Sequence, residues 1–149
     1  MDLRRVGRFF SSGAFLYDRL FALAAWFGLS LFAVLKADLS GNINNYKIYR
    51  HVFVHLREQQ NLFNFYPGLY EDQNLYGPVF GVLIAPFAVL PDAIGVVLWV
   101  LFNVAILFYA IRKLPLPRKP QWALLVLCSH ELMNASSWLQ INALVCACI

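Results

Sequence analysis

Hydrophobic residues fill four long stretches of the chain, at about 20–35, 79–90, 93–111 and 122–128, and a fifth begins near 143. Between the first and second lies a polar segment, 36–78, that holds most of the Tyr and Asn. An apolar run of about 20 residues is what a helix needs to cross a bilayer. The pattern therefore predicts an all-α, polytopic membrane helix bundle. Its spans are expected at about 20–36, 79–91, 93–111, 121–133 and from 141 onward, with one large outer loop over 37–78.

The loop has a period of its own. Tyr46, Tyr49, Phe53 and Leu56 recur every three or four residues, the signature of an amphipathic helix. Lys47, Arg50 and Arg57 form a second stripe, and His51, His55 and Glu58 are expected on that polar side. Such a helix suits the membrane interface, and equally suits packing on the rest of its own protein. Pro67-Gly68 ends it in a turn. Tyr66, Tyr70 and Tyr76 then approach the next apolar run as interfacial aromatics do.

The stretch 79–111 is too long for one crossing and short for two. Pro91-Asp92 divides it and Pro86 bends its first half, which reads as a tight hairpin turning at 90–92. Charge opposes that reading. Arg4, Arg5, Arg8 and Arg19 put the N-terminus in the cytoplasm by the positive-inside rule. Three crossings then carry Arg112, Lys113, Arg118 and Lys119 to the outside. A re-entrant 79–90 removes the conflict.

Composition agrees with the membrane class: 60% of residues are hydrophobic, against roughly 45–50% in soluble domains. The net charge of +4 comes from basic flanks, with no stripe that fits nucleic acid. The basic start before an apolar run also outlines a signal peptide, but Lys36-Ala37-Asp38 is no small-x-small cleavage site, so an uncleaved first span is expected. The apolar C-terminal run reads as the interior of a larger membrane protein, of which this is the N-terminal part and by itself inactive. Cys128, Cys146 and Cys148 lie in apolar sequence and read as packing residues. His51 and His55 share a helix face, but Val52 stands where the zinc-protease pattern requires Glu. No metal and no cofactor is expected, and no phosphate-binding or nucleophile-elbow motif occurs. Asn134-Ala135-Ser136 is a sequon beside a span and carries little weight.

Few residues remain for chemistry. Asp38 follows the first span, where a carboxylate can cap a helix end or take a proton from a hydroxyl. Glu131, beside His130, lies at membrane depth, where ionisable groups face an interior or a cavity. Asn103 reads as a helix–helix hydrogen bond.

With these residues in view, the chain resembles the polytopic glycosyltransferases of the GT-C superfamily, and among them family 87, which includes polyprenol-phosphate-mannose-dependent mannosyltransferases. The matching pieces are Asn44-Asn45-Tyr46 with Tyr49, then Tyr76-Gly77-Pro78-Val79-Phe80. Ile84-Ala85-Pro86-Phe87-Ala88-Val89-Leu90-Pro91 follows, with Leu98-Trp99 and Asn103 beyond. Leu139-Gln140-Ile141-Asn142 resembles the family's Gly-Gln-x-Asn segment, with Leu139 where the family has Gly. The resemblance implies transfer of a hexose from a polyprenyl-phosphate sugar to an acceptor hydroxyl of a glycan or glycolipid. It places that transfer on the extracytoplasmic side of the cell (inner) membrane, with inversion. It points to Asp38 as base, to Lys47, Arg50 and Arg57 as partners of the lipid phosphate, and to Gln140 and Asn142 as ligands of sugar hydroxyls. Tyr46, Tyr76 and Glu131 complete the expected substrate-binding set. The rival reading is a transporter or flippase, which calls for ionisable residues along several spans. A second rival is a non-catalytic assembly subunit.

Overall fold

The structure, a computed structural model, describes residues 9–149; the arginines at 4, 5 and 8 lie outside the described residues. Six helices follow a short 3-10 turn at Ala14–Tyr17. They are α1 (Arg19–Leu39), α2 (Asn44–Arg57), α3 (Pro78–Ala88), α4 (Asp92–Lys113), α5 (Arg118–Ser137) and α6 (Asn142–Ala147). No strand occurs among the described residues.

Two of these helices, α1 with 21 residues and α4 with 22, are long and apolar enough to cross a membrane. At 1.5 Å per residue each reaches the ~30 Å of a hydrocarbon core. Asp18 caps α1, its carboxylate accepting the Phe21 N–H at 2.7 Å. A π turn at Ala24–Gly28 widens α1 at mid-length. There the fully buried Trp26 donates its indole N–H to the Val104 carbonyl of α4 at 3.1 Å. Helix α5 matches them in length with 20 residues, but Gln121, Ser129, His130, Glu131 and Asn134 make it too polar for the same class.

Helix α3 differs from the hairpin expectation. Its 11 residues extend only about 16 Å, half of a hydrocarbon core. It packs along α2 rather than through the bundle, with the buried Gly81 admitting Leu56 and Val52 of α2. The physical reason is that α2 covers one apolar face of α3, through Gly81, Ile84 and Ala88, while Val79 and Val82 stay exposed on the other.

The consequence is topological. Helix α5 packs on Ala14–Tyr17 and the start of α1, while its end, Ser137, and Trp138 lie beside Ala33, Lys36 and Ala37 of α1. Helices α1 and α5 therefore run parallel, with α4 antiparallel to both. The cationic turn 112–120 shares an end of the bundle with Arg19, and the charge conflict disappears. That turn is held by Gln121, whose amide donates to the Leu114 and Leu116 carbonyls at 3.1 Å each. The Arg112 guanidinium lies over the Trp122 ring, 4.1 Å from its centre.

Three helix ends share one device. Past α1, α2 and α5 the chain enters the left-handed region at Gly41 (φ 73°), Gln59 (φ 56°) and Leu139 (φ 54°). The next N–H then reaches back five residues, Asn42 to Ala37 (2.9 Å), Gln60 to His55 (2.8 Å) and Gln140 to Ala135 (2.9 Å), which is a Schellman cap. Gly takes this conformation freely, whereas a residue with a Cβ is strained there. Leu139 accepts the strain while wholly buried.

Candidate active site

The end of the bundle away from Arg19 is organised by Asn44-Asn45-Tyr46, at the start of α2. Asn44 accepts the Glu71 N–H through its side-chain oxygen at 2.9 Å. Asn45 donates its amide to the Trp138 carbonyl past α5 at 2.7 Å. Tyr46 donates its hydroxyl to the Phe87 carbonyl of α3 at 3.0 Å. Three successive side chains thus tie α2 to the loop, to α5 and to α3.

Tyr46 is fully buried, and burial, aided by the Asp92 carboxylate, pushes its phenol up to about 12. Arg50, one turn on, donates from Nη1 to Asp92 Oδ1 at 2.7 Å and from Nε to the Ala88 carbonyl at 3.2 Å. It joins the end of α3 to the start of α4. Gly95 permits this junction, since a Cβ there would overlap the Tyr46 hydroxyl and come within 2.6 Å of the Phe87 carbonyl oxygen.

His55 also turns inward. The sequence period put it on the polar side, but it is buried and packs its ring on Tyr66, centres 4.1 Å apart. An imidazole fills an aromatic contact as readily as it faces water. Burial, with the neighbouring His51 ring, lowers its pKa from the usual value. The loop beyond α2 is ordered by Asn74, buried and bonded through its amide to the Leu62 and Tyr76 carbonyls at 2.9 and 3.0 Å. Its oxygen accepts the Tyr76 N–H at 2.9 Å.

Two cavities meet on the other side. A groove of about 450 Å³ runs between α1, α4, α5 and α6. Its floor is apolar, with Trp26, Leu107, Ile111 and Leu124, and its rim carries Glu131, Asn134, Gln140 and Asn142. A second cavity of about 290 Å³ lies between α2, the loop and the start of α6. Asn45, Tyr49, Asp72, Gln73 and Tyr76 line it, and so do Gln140 and Asn142. Those two residues are therefore common to both walls, with the Asn142 amide donating to the Gln140 side-chain oxygen at 2.9 Å.

Of the residues singled out from sequence, Glu131, Gln140 and Asn142 come together at the groove, and Tyr76 joins the last two at the loop cavity. Tyr76 stacks on Phe80 with centres 4.5 Å apart and meets Tyr49 edge-on at 5.1 Å. Asp38, in the last turn of α1, lines neither cavity. Lys47 borders a smaller polar cavity with Asn44, Tyr70 and Glu71. Arg57 is exposed, its guanidinium 6.0 Å from the centre of the Phe53 ring. The loop cations thus stand apart from the groove. The sequence marked Arg50 but neither Asp72 nor the pairing of Arg50 with Asp92. Asp72 sits in irregular backbone, where no period marks a face; the signal was an acidic pair, Glu71-Asp72, just before Tyr76-Gly77-Pro78. Among the described residues no three His, Cys, Asp or Glu side chains group as a metal-binding set.

The chain belongs to glycosyltransferase family 87, whose family model matches residues 74–149. The matched segment runs from Asn74 through α3, α4, α5 and α6, and so includes Tyr76, Glu131, Gln140 and Asn142. No curated protein and no solved structure matches the chain. The family implies a glycosyltransferase, and two apolar helices fit a membrane protein.

Proposed function

We propose that the protein transfers a hexose, mannose first among candidates, from a polyprenyl-phosphate sugar to an acceptor hydroxyl on the extracytoplasmic side, within a polytopic GT-C-like bundle. The observation that carries this reading is the pair Gln140 and Asn142, which lines both the groove and the loop cavity. A groove with an apolar floor and a polar rim suits a lipid whose head is a sugar phosphate. The lipid chain lies along Trp26, Leu107 and Leu124, and the sugar reaches the amides of Gln140 and Asn142. The acceptor enters through the loop cavity, beside Tyr49 and Tyr76. Its oxygen bonds to the anomeric carbon, its proton passes to a carboxylate of the outer loop, and the lipid phosphate leaves with the electron pair of the broken bond. The sugar carbon inverts, and positioning supplies much of the acceleration. The resemblance points to Asp38 as that carboxylate.

The test follows labelled mannose from a polyprenyl-phosphate donor into membrane acceptors, using the intact protein in membranes. Transfer by the wild type, lost in the Gln140→Ala/Asn142→Ala double variant at equal expression, is the expected result. Folded protein that moves no sugar from any mannose or pentose lipid donor overturns the reading and favours the transporter.

A further inference from the structure

Glu131, Asp72 and Asp38 occupy different places around the candidate site. Glu131 lines the groove but not the loop cavity, Asp72 lines the loop cavity but not the groove, and Asp38 lines neither. In an inverting transfer the base lies across the sugar from the leaving group, because the entering and departing oxygens are in line through the anomeric carbon. With the lipid phosphate in the groove and the sugar at Gln140 and Asn142, the far side is the loop cavity. A carboxylate in the groove would instead face the departing phosphate, and like charges repel.

We propose that Asp72 is the catalytic base. It takes the acceptor proton as the acceptor oxygen bonds to the anomeric carbon, while the bond from that carbon to the phosphate oxygen breaks and the phosphate keeps the electron pair. The assignment rests on the reading that the chain forms part of a lipid-phosphate-sugar transferase. The local structure fits the task. Gln73 donates its backbone N–H to Asp72 Oδ1 at 2.7 Å and its side-chain amide to the Phe63 carbonyl at 2.9 Å. Asn74 clamps Tyr76, which follows it, to Leu62 across the loop. The carboxylate is thereby oriented, with Oδ2 left to meet the acceptor. Its exposure to solvent lets the captured proton pass to water.

The experiment compares single-turnover transfer from labelled polyprenyl-phosphate mannose to membrane acceptors in the intact wild-type protein, Asp72→Asn, Asp72→Glu, Glu71→Gln and Asp38→Asn. Asn keeps the oxygen that accepts the Gln73 N–H, so the loop stays folded. Asp72→Asn is expected to lose about 100- to 10,000-fold in rate, to retain donor binding, and to lose the acidic limb of the pH–rate profile. Asp72→Glu recovers part of the rate, and Glu71→Gln stays near wild type. An Asp72→Asn rate close to wild type, or loss confined to Asp38→Asn, overturns the assignment and leaves the transferase reading in place. A wild type that transfers nothing overturns that reading itself.

Discussion

Two regions beside the candidate cavities are built in opposite ways. On the α2–α3 side, Tyr46, Arg50 and Asn74 each donate to backbone carbonyls of another segment. On the α5–α6 side, Gln140 and Asn142 are exposed and bond to each other, and Glu131, its side chain 80% exposed, reaches only His130 at 3.5 Å. A polar side chain committed to a buried carbonyl cannot leave it without stranding that group, which costs about 1–3 kcal/mol. One that bonds only a neighbour at a cavity rim can exchange that bond for a ligand. Tyr46, Arg50 and Asn74 hold the frame, and Gln140, Asn142 and Glu131 are free to bind.

The comparison can be broken most forcibly at Gly95. Gly95→Ala drives a Cβ against Tyr46 and the Phe87 carbonyl, and is expected to cost about 3 kcal/mol, the upper end of overpacking. Denaturation of the purified intact protein measures it, and Gly28→Ala, which meets open space, is the control that should cost nothing. A Gly95→Ala protein as stable as wild type would mean that the frame is not rigid. Leu139→Gly comes next. It relieves a left-handed backbone worth about 1 kcal/mol but removes a buried side chain worth more, so a net loss of about 2 kcal/mol is expected.

Arg50→Ala separates α2 from the α3–α4 turn. The ion pair is about one-third exposed on each side, and screening reduces its worth, so the loss should be about 1 kcal/mol. Asp92→Ala should add little on top of it, and additive losses in the double-mutant cycle would deny the pairing.

His55 gives a pH signature. Its folded pKa lies below the unfolded value of about 6.5, so the unfolded chain binds a proton first. Stability is full above that value, is lost as pH falls below it, and levels off beneath the folded pKa. His55→Phe should flatten this portion of the stability–pH curve, and an unchanged slope would contradict the burial. The smallest effect is a gain. Gln59→Gly relieves the same left-handed strain as Leu139 at an exposed position, and should stabilise by about 0.5–1 kcal/mol.

Much of the framework was legible in the hydrophobic pattern. Helix α1, helix α4 and the loop helix lie where apolar runs and aromatic periodicity put them. The short helix α3 was not, because apolar composition is the same whether a helix faces lipid or another helix; the cationic turn 112–120 held the clue. Part of the candidate site was marked beforehand, Gln140 and Asn142 by the family resemblance and Glu131 as an ionisable residue beside apolar sequence, and the fold brings the three to one groove. Tyr46 and Arg50 stood out in the stripes of the loop helix yet bond to backbone of α3, since a stripe of residues reveals a face but not what covers it. Asp72 lay in a stretch without period, where only the folded loop shows what it faces.

The three-way junction at Asn44-Asn45-Tyr46 also sets where this sequence tolerates a change of length. Successive residues of a helix are rotated by about 100°, so each of the three side chains points to a different neighbour because of its rotational phase. An extra residue in the turn at 40–43 leaves that phase intact. An extra residue between Tyr46 and Arg50 turns everything beyond it by about 100°, swinging Arg50 away from Asp92 and His55 away from Tyr66. Length variation in this loop should therefore collect before Asn44 and stop at the helix that follows.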